Sequence, residues 1–253
     1  WSSVWTVLID TIAPAAPSLI SPEDGTTTND NAPTFRWTEL TDASGVTYIL
    51  HVDNDPSFTS PEINVSGLAD NAYTPITDLA DENYSWHVRA VDGAGNLGDW
   101  STVWTLLIDT MAPATPSQLE PSDSSLTNDN TPTFRWTAVI DPSGVTYTIQ
   151  VDNDPDFTSP KVDVSGLVEN TYTPSELADE NYSWHVRVVD GANNIGNWTA
   201  TWTFAIDTVP PDIPALVSPT DGTITNDNTP TFDWSDVAGA ENYDLLVDND
   251  SDF

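Results

Sequence analysis

The chain has 253 residues and no cysteine, and its 40 Asp+Glu against 5 Lys+Arg give a formal net charge of −35. A charge this negative excludes a nucleic-acid partner and an anionic membrane surface, because neither could release counterions onto it. Without disulfides, a secreted fold must be held by core packing, by metal or by both.

One sequence motif occurs three times along the chain, at intervals of about 100 residues. "WSSVWTVLIDT" begins at Trp1, "WSTVWTLLIDT" at Trp100 and "WTATWTFAIDT" at Trp198. A period of about 100 residues is too long for a solenoid unit and matches one whole domain. We therefore expect a window on a longer chain, divided into the last strand of a preceding repeat (1–10), two full domains (11–109 and 110–207) and the first half of a third repeat (208–253).

Within each repeat the apolar residues alternate with polar ones, which is the pattern of half-buried strands. Turn residues such as "SPEDG", "TDASG" and "DGAGN" separate the runs. Several such strands in one domain length, without a helical run, predict an all-β fold of tandem seven-stranded sandwiches. The inward-facing sets of the first domain are Phe35 and Trp37; Tyr48, Leu50 and Val52; Tyr84, Trp86, Val88 and Ala90; and Trp104, Leu106 and Ile108.

The repeat resembles the fibronectin type III and immunoglobulin-like modules that are strung together in prokaryotic surface proteins. Trp37 stands where the second-strand tryptophan lies, and Leu79 with Tyr84 matches the leucine and tyrosine of a tyrosine corner. "YSWHVRAVDGAGN" matches the sixth strand and the loop after it. The resemblance implies domains joined end to end in a cell-surface protein, where each repeat has neighbouring repeats as partners. The high identity of the repeats also favours the hypothesis that identical chains assemble into a fibre.

The recurring "TNDN" motif resembles the calcium-binding linker of cadherins. In a sandwich of this topology its loop faces the next domain, where Asp109 emerges and the loops carrying Asp141 and Asp190 approach. Converging Asp, Asn and carbonyl oxygens suit Ca²⁺, although the same residues also form simple Asx-turns. The predicted ligands are Asp10, Asp92 and Asn96 at the first junction, Asp30, Asp109, Asp190 and Asn194 at the second, and Asp129 and Asp207 at the third.

The excess of Asp over Glu also bears on the origin of the charge. Adaptation to high salt is the other explanation of so acidic a chain, and both can hold, but a general demand for solubility would use Glu as freely as Asp. Since Asp and Asn are turn formers and hard-oxygen ligands, we favour calcium.

Three other features have structural interpretations. "VDNDPSF" and "VDNDPDF" space their acids like a calcium loop but lack its Gly and closing Glu, so they predict a turn. Trp37, Trp86 and Trp104 are assigned to the core, and Trp100 is placed over Arg89 as a cation–π pair outside it. His51 and His87 fall on the outer face by alternation.

No catalytic motif is present in the sequence. It has no G-x-S-x-G, no H-E-x-x-H, no Gly-rich phosphate loop and no cysteine nucleophile. The prediction is a structural extracellular protein and not an enzyme. The alternative is an accessory spacer or carbohydrate-binding region of a large secreted polysaccharide-degrading enzyme.

Glycosylation sequons are present at four positions, Asn64, Asn83, Asn181 and Asn197.

Overall fold

The alternating runs of the first repeat form eight short strands, which together we call domain one. Proline, Asx and glycine turns end each run, so no strand exceeds ten residues. In the computed structural model, which describes residues 1–249, the strands are β1 (Leu19–Ser21), β2 (Thr26–Thr28), β3 (Phe35–Trp37), β4 (Val46–Asp53), β5 (Ile63–Leu68), β6 (Ala72–Tyr73), β7 (Asn83–Asp92) and β8 (Trp104–Ile108).

The second repeat, domain two, has the same strands in the same order. Its near-identical turn sequences place each strand at the equivalent position. The strands are β9 (Gln118–Glu120), β10 (Ser125–Thr127), β11 (Phe134–Trp136), β12 (Val145–Asp152), β13 (Val162–Leu167), β14 (Thr171–Tyr172), β15 (Asn181–Asp190) and β16 (Trp202–Ile206).

Each domain is a sandwich of a three-stranded and a five-stranded sheet. In domain one the orders are β1-β3-β6 and β2-β8-β7-β4-β5, and domain two repeats them as β9-β11-β14 and β10-β16-β15-β12-β13. The pairs are antiparallel except β2 with β8 and β10 with β16, which are parallel. The predicted all-β tandem sandwich is confirmed. Eight strands replace the expected seven because the first strand is divided between the two sheets.

The core lies between the two sheets of each domain. Trp37 and Trp86 are 0 % exposed, and Phe35 meets the Trp86 ring edge-on at 5.0 Å. Trp104 is partly buried and packs against this cluster, its ring perpendicular to Trp86 at 6.0 Å. The assignment of these tryptophans to the core from alternation alone is therefore confirmed.

The predicted tyrosine corner is present in both domains. Tyr182 donates its hydroxyl to the main-chain oxygen of Ala178 at 3.1 Å. Burial raises the pKa of the Tyr84 hydroxyl, with Glu82 and Glu62 adding to the effect, while a hydrogen bond to the Ala80 backbone opposes it. The corner fixes the turn that leads into β7 and β15, the central strands that position the loops described below.

The outer two segments differ from the complete domains. Residues 1–10 were expected to be a last strand but form none, because the equivalent strand β8 pairs with β2 and β7 of its own domain and residues 1–10 have no such partners. In the third repeat, β17 (Leu216–Ser218) and β18 (Asp233–Trp234) pair, and residues 250–253 of the predicted half-domain lie outside the described residues. Within residues 1–249 there is no helix long and apolar enough to span a membrane.

Candidate metal centre

Three carboxylates meet where the linker enters each complete domain. At domain two these are Asp109 of the linker, Asp141 of the β11–β12 loop and Asp190 at the end of β15. Each offers an oxygen within 4.8 Å of the others. Asp10, Asp42 and Asp92 form the same arrangement at domain one. We call these two groups the junction clusters.

The carboxylate in the loop after β15 accepts more hydrogen bonds than the other two. Asp190 accepts hydrogen bonds at Oδ1 from the backbone amides of Ala192 at 2.9 Å and Asn194 at 2.8 Å, and at Oδ2 from Asn194 Nδ2 at 2.8 Å. Burial tends to raise the pKa of the equivalent Asp92, but hydrogen bonds from Asn96 and Ala94 outweigh it and lower that pKa. The loop thus holds its carboxylate in one orientation.

The loop after β11 is tied to this one by main-chain contacts. Asp141 accepts from the Ser143 amide at 2.9 Å and its hydroxyl at 2.6 Å. Gly191 donates to the Gly144 carbonyl at 3.0 Å and to Ser143 Oγ at 3.1 Å. A Cβ at position 191 would collide with the Ser143 carbonyl, so only glycine allows the two loops to approach this closely.

The linker supplies the third carboxylate. Asp109 is 6 % exposed; its Oδ1 accepts from the Met111 amide at 3.2 Å, while its Oδ2 is buried and has no hydrogen-bond partner. Its main-chain oxygen accepts from Asn194 Nδ2 at 2.7 Å. Thr110 donates back to Asp81 of domain one at 3.0 Å. The linker is therefore bonded to the domain on each side of it.

The charged groups of the domain-two cluster are all carboxylates. In the described part of the chain the ion pair found is Arg135 with Glu120, at 3.1 Å, and it involves no member of the cluster. None of the three carboxylates at domain two therefore has a basic partner, and two of them are buried. Like charges gathered out of water repel strongly unless a cation or a proton neutralises them.

The comparisons with known proteins agree with this architecture. The family model for the bacterial Ig-like domain matches residues 6–110 and 114–208. The chain belongs to the bacterial Ig-like domain family. Tandem domains of this family suggest a structural or spacer role and are commonly extracellular. None of the curated proteins that were searched matches the sequence.

The solved structures that resemble the Ig-like array include the following two. The chicken CNTN1 FN1–FN3 domains share 18% identity at a TM-score of 0.42, covering 77% of this chain, which spans 65% of that structure's length. The Clostridium thermocellum CbhA fibronectin(III)-like modules share 14% identity at a TM-score of 0.46, covering 76% of this chain and 94% of theirs.

Asp30 and Asp129 do not join the junction clusters of the Ig-like domains. Asp30 Oδ1 instead accepts from the Ala32 amide at 3.0 Å, and Asp129 Oδ1 from the Thr131 amide at 2.8 Å. These are exposed Asx-turns, so the local hydrogen bond holds the side chain back from the linker. The placement of these two residues among the ligands is thus not supported by the geometry.

Asp141 takes the place that Asp30 was expected to fill at the second junction, and Asp42 joins the predicted Asp10 and Asp92 at the first. The recurrence of Asp-x-Ser-Gly at both positions was the available signal. Asn96 and Asn194 lie at the clusters, but their amide nitrogens clamp the neighbouring aspartate and the linker carbonyl. They act as donors that orient the site.

The third junction is incomplete in the described residues. Asp207 is exposed, and its Oδ1 accepts from the Val209 amide at 3.1 Å. The loop from Trp234 to Tyr243 is shorter than its counterparts and has Gly239 where they have aspartate. Asp207 therefore joins no group of three carboxylates within residues 1–249.

Proposed function

We propose that the chain is part of a structural, non-catalytic extracellular rod or fibre of Ig-like domains, whose joints are stiffened by calcium at the junction clusters. The observation that carries the proposal is the buried, unpartnered Oδ2 of Asp109 beside Asp141 and Asp190. A buried carboxylate oxygen without a donor is costly, and a bound cation would remove that cost.

The chemistry of the donors favours calcium over a transition metal. The cluster offers only oxygen, from three carboxylates, with no Cys or His among its members. Ca²⁺ takes six to eight oxygens at flexible geometry, whereas Zn²⁺ and Cu²⁺ prefer nitrogen or sulfur. Asp109, Asp141 and Asp190 would hold the ion, and water would complete the shell.

Calcium at this place would act on the freedom of the linker. Pro113, in "IDTMAP", already restricts the linker backbone. Asn194 and Asp81 bind the linker from opposite sides, but each contact is a hydrogen bond that water can replace. An ion shared by Asp109 of the linker and two loops of domain two would add a strong contact across the hinge, so bending would require its release.

The alternative of a glycan-binding region receives less support from the tryptophans. A sugar platform needs an exposed aromatic face. The Trp100 ring is covered by His87 on one face and by Arg89 on the other, and Trp198 is covered in the same way. The core tryptophans Trp37 and Trp86 are fully buried.

Calorimetric titration of the chelator-stripped chain with Ca²⁺ tests the proposal. We expect binding at the domain-two cluster, and its loss in Asp109→Asn and in Asp190→Asn. Asp30→Asn is the matched control, because it removes an identical charge from an exposed turn near the same joint. Absence of binding in the unchanged chain would refute the calcium site.

The stiffening itself needs a second measurement. Small-angle scattering of the chain should give a larger maximum dimension in calcium than in EDTA, and Asp109→Asn should give the EDTA value in both. If calcium binds but the dimension does not change, the site is structural within one domain and the rod proposal loses its mechanism.

A further inference from the structure

Four side chains are stacked on the outer face of the five-stranded sheet of domain one. The Phe58 ring lies on His87 with centroids 3.9 Å apart and planes at 10°. The other face of His87 lies on Trp100, again at 3.9 Å, with planes at 9°. The guanidinium of Arg89 covers Trp100 at 4.5 Å. We call this set the outer-face stack.

Domain two repeats the outer-face stack with the same spacing. Phe157 lies on His185 at 3.9 Å and 13°, and His185 on Trp198 at 3.9 Å and 15°. Arg187 covers Trp198 at 4.5 Å. The Trp100–Arg89 half was expected from the sequence, whereas the insertion of a histidine between a tryptophan and a phenylalanine was not.

The histidine joins two loops that have no strand pairing with each other. Phe58 comes from the β4–β5 loop and reaches the sheet at a φ of 51°, an uncommon value for a residue other than glycine. Trp100 comes from the segment between β7 and β8. Since both rings rest on the one imidazole of β7, the packing of both loops depends on that ring.

The groups facing the imidazole disfavour a positive charge there. His87 is 8 % exposed; His51 on β4 lies 3.4 Å from it, ring nitrogen to ring nitrogen, and Arg89 is on the same strand. Phe58 and Trp100 bring no charge, and Asp53 acts on His51. Burial, then His51 and Arg89, lowers the pKa of His87 to about 4.

In domain two the groups around the stacked histidine His185 are equivalent, with one substitution. Gln150 replaces His51 and lies 2.9 Å from His185, between its Oε1 and the imidazole Nε2. Burial, then Arg187, lowers the pKa of His185 to about 4, and Asp163 on β13 opposes the shift. A histidine at the position of His51 is therefore not needed to lower the pKa of the stacked imidazole.

We propose that the outer-face stack is an acid-sensitive latch, in which the neutral imidazole holds both loops on the sheet and its protonation releases them. The unfolded chain binds the proton at an ordinary histidine pKa near 6.5. The stack's contribution to stability is thus complete above pH 6.5 and is lost as the pH falls from there towards 4.

A competing effect would give the opposite response to acid. An imidazolium between two aromatic faces gains cation–π attraction, which would favour protonation. The Trp100 face opposite the imidazole is already occupied by Arg89, so a second cation on this ring would be repelled. If cation–π attraction dominated, acid would tighten the stack.

Titration of the unmodified chain by NMR tests the latch, since the chain has three histidines to assign. We expect His87 and His185 to titrate well below pH 6.5, and the ring signals of Phe58, Phe157, Trp100 and Trp198 to move with them. Titration at or above pH 6.5 would overturn the proposal, as would ring signals that stay constant while the histidines protonate.

The paired variant His87→Phe with His185→Phe keeps a stacked ring that cannot be protonated. Between pH 7 and pH 5 the unfolding equilibrium constant of the unmodified chain should rise about twentyfold more per domain than that of the variant. His51→Gln, which copies domain two, is the control and should retain the pH dependence. If all three chains lose the same stability between pH 7 and pH 5, the latch proposal is wrong. If the paired variant fails to fold, the NMR titration alone decides.

Discussion

The core and the junction cluster of domain two differ in the kind of group that they bury. Around Trp184 the chain fills its own interior, with Phe134 edge-on at 5.1 Å and no exposed surface. Around Asp109 it gathers like charges and leaves one buried oxygen without a donor. The core thus buries mainly apolar rings that pack on one another, whereas the joint buries carboxylates, and the calcium proposal therefore concerns the joint and not the core.

Truncation of a core tryptophan should have the largest effect. Trp184→Ala removes a fully buried ring and leaves a cavity, so domain two should lose about 3–5 kcal/mol of its free energy of unfolding. Urea unfolding followed by circular dichroism measures the loss. The partly buried Trp202 is the comparison, and Trp202→Ala should cost less. Equal costs would mean that burial does not distinguish the two sites.

Removal of calcium should have the next largest effect, and it should act on the joint. At a calcium concentration of 100 times Kd, binding to the folded state alone adds about 2.7 kcal/mol. The melting temperature should therefore fall in EDTA, while the strand signal in circular dichroism stays unchanged at 25 °C. Loss of the strand signal on chelation would show that the core also depends on the ion.

The tyrosine corner should contribute a smaller amount to stability. Tyr182→Phe removes the hydrogen bond to Ala178, which should cost about 1 kcal/mol. Because burial raises the pKa of Tyr182 above its usual 10, its contribution is complete below pH 10 and is lost as the pH rises through the folded value. The difference in unfolding free energy between the two chains should therefore be smaller at pH 10.5 than at pH 8. A difference that is the same at both pH values would contradict this.

The smallest effect is expected at the linker. Thr110→Val removes the hydroxyl that Asp81 accepts from, on an exposed surface where such a contact contributes little. The melting temperature should stay within measurement error, and backbone ¹⁵N relaxation at Met111 should report increased motion. Thr102→Val, in a loop of domain one, provides a control for the substitution itself.

The sequence was sufficient to predict the sandwich because alternation and the repeated turns determine burial directly. Phe35, Trp37 and Trp86 could be assigned to the core without coordinates, and the tyrosine corner followed from a known resemblance. The division of the first strand into β1 and β2 could not be predicted, since it depends on pairing with β3 in one sheet and β8 in the other.

The junction cluster could be predicted only in part. The sequence indicates that Asp109 and Asp190 lie near one another, because both follow the ends of strands at the same junction. It could not distinguish Asp141 from Asp30, since both stand in turn motifs and only the folded loop decides which carboxylate faces the linker. The His87 stack escaped prediction because Phe58 reaches it through a left-handed backbone conformation that the sequence does not mark.

A crystal structure of the chain grown in calcium tests the central claim most directly. We predict an ion bound by Asp109, Asp141 and Asp190 at oxygen distances of about 2.3–2.6 Å, with Asp109 Oδ2 among its ligands and Asp30 excluded. Asp109 Oδ2 bonded to a water or to a protonated neighbour, with no ion at this joint, would contradict the account.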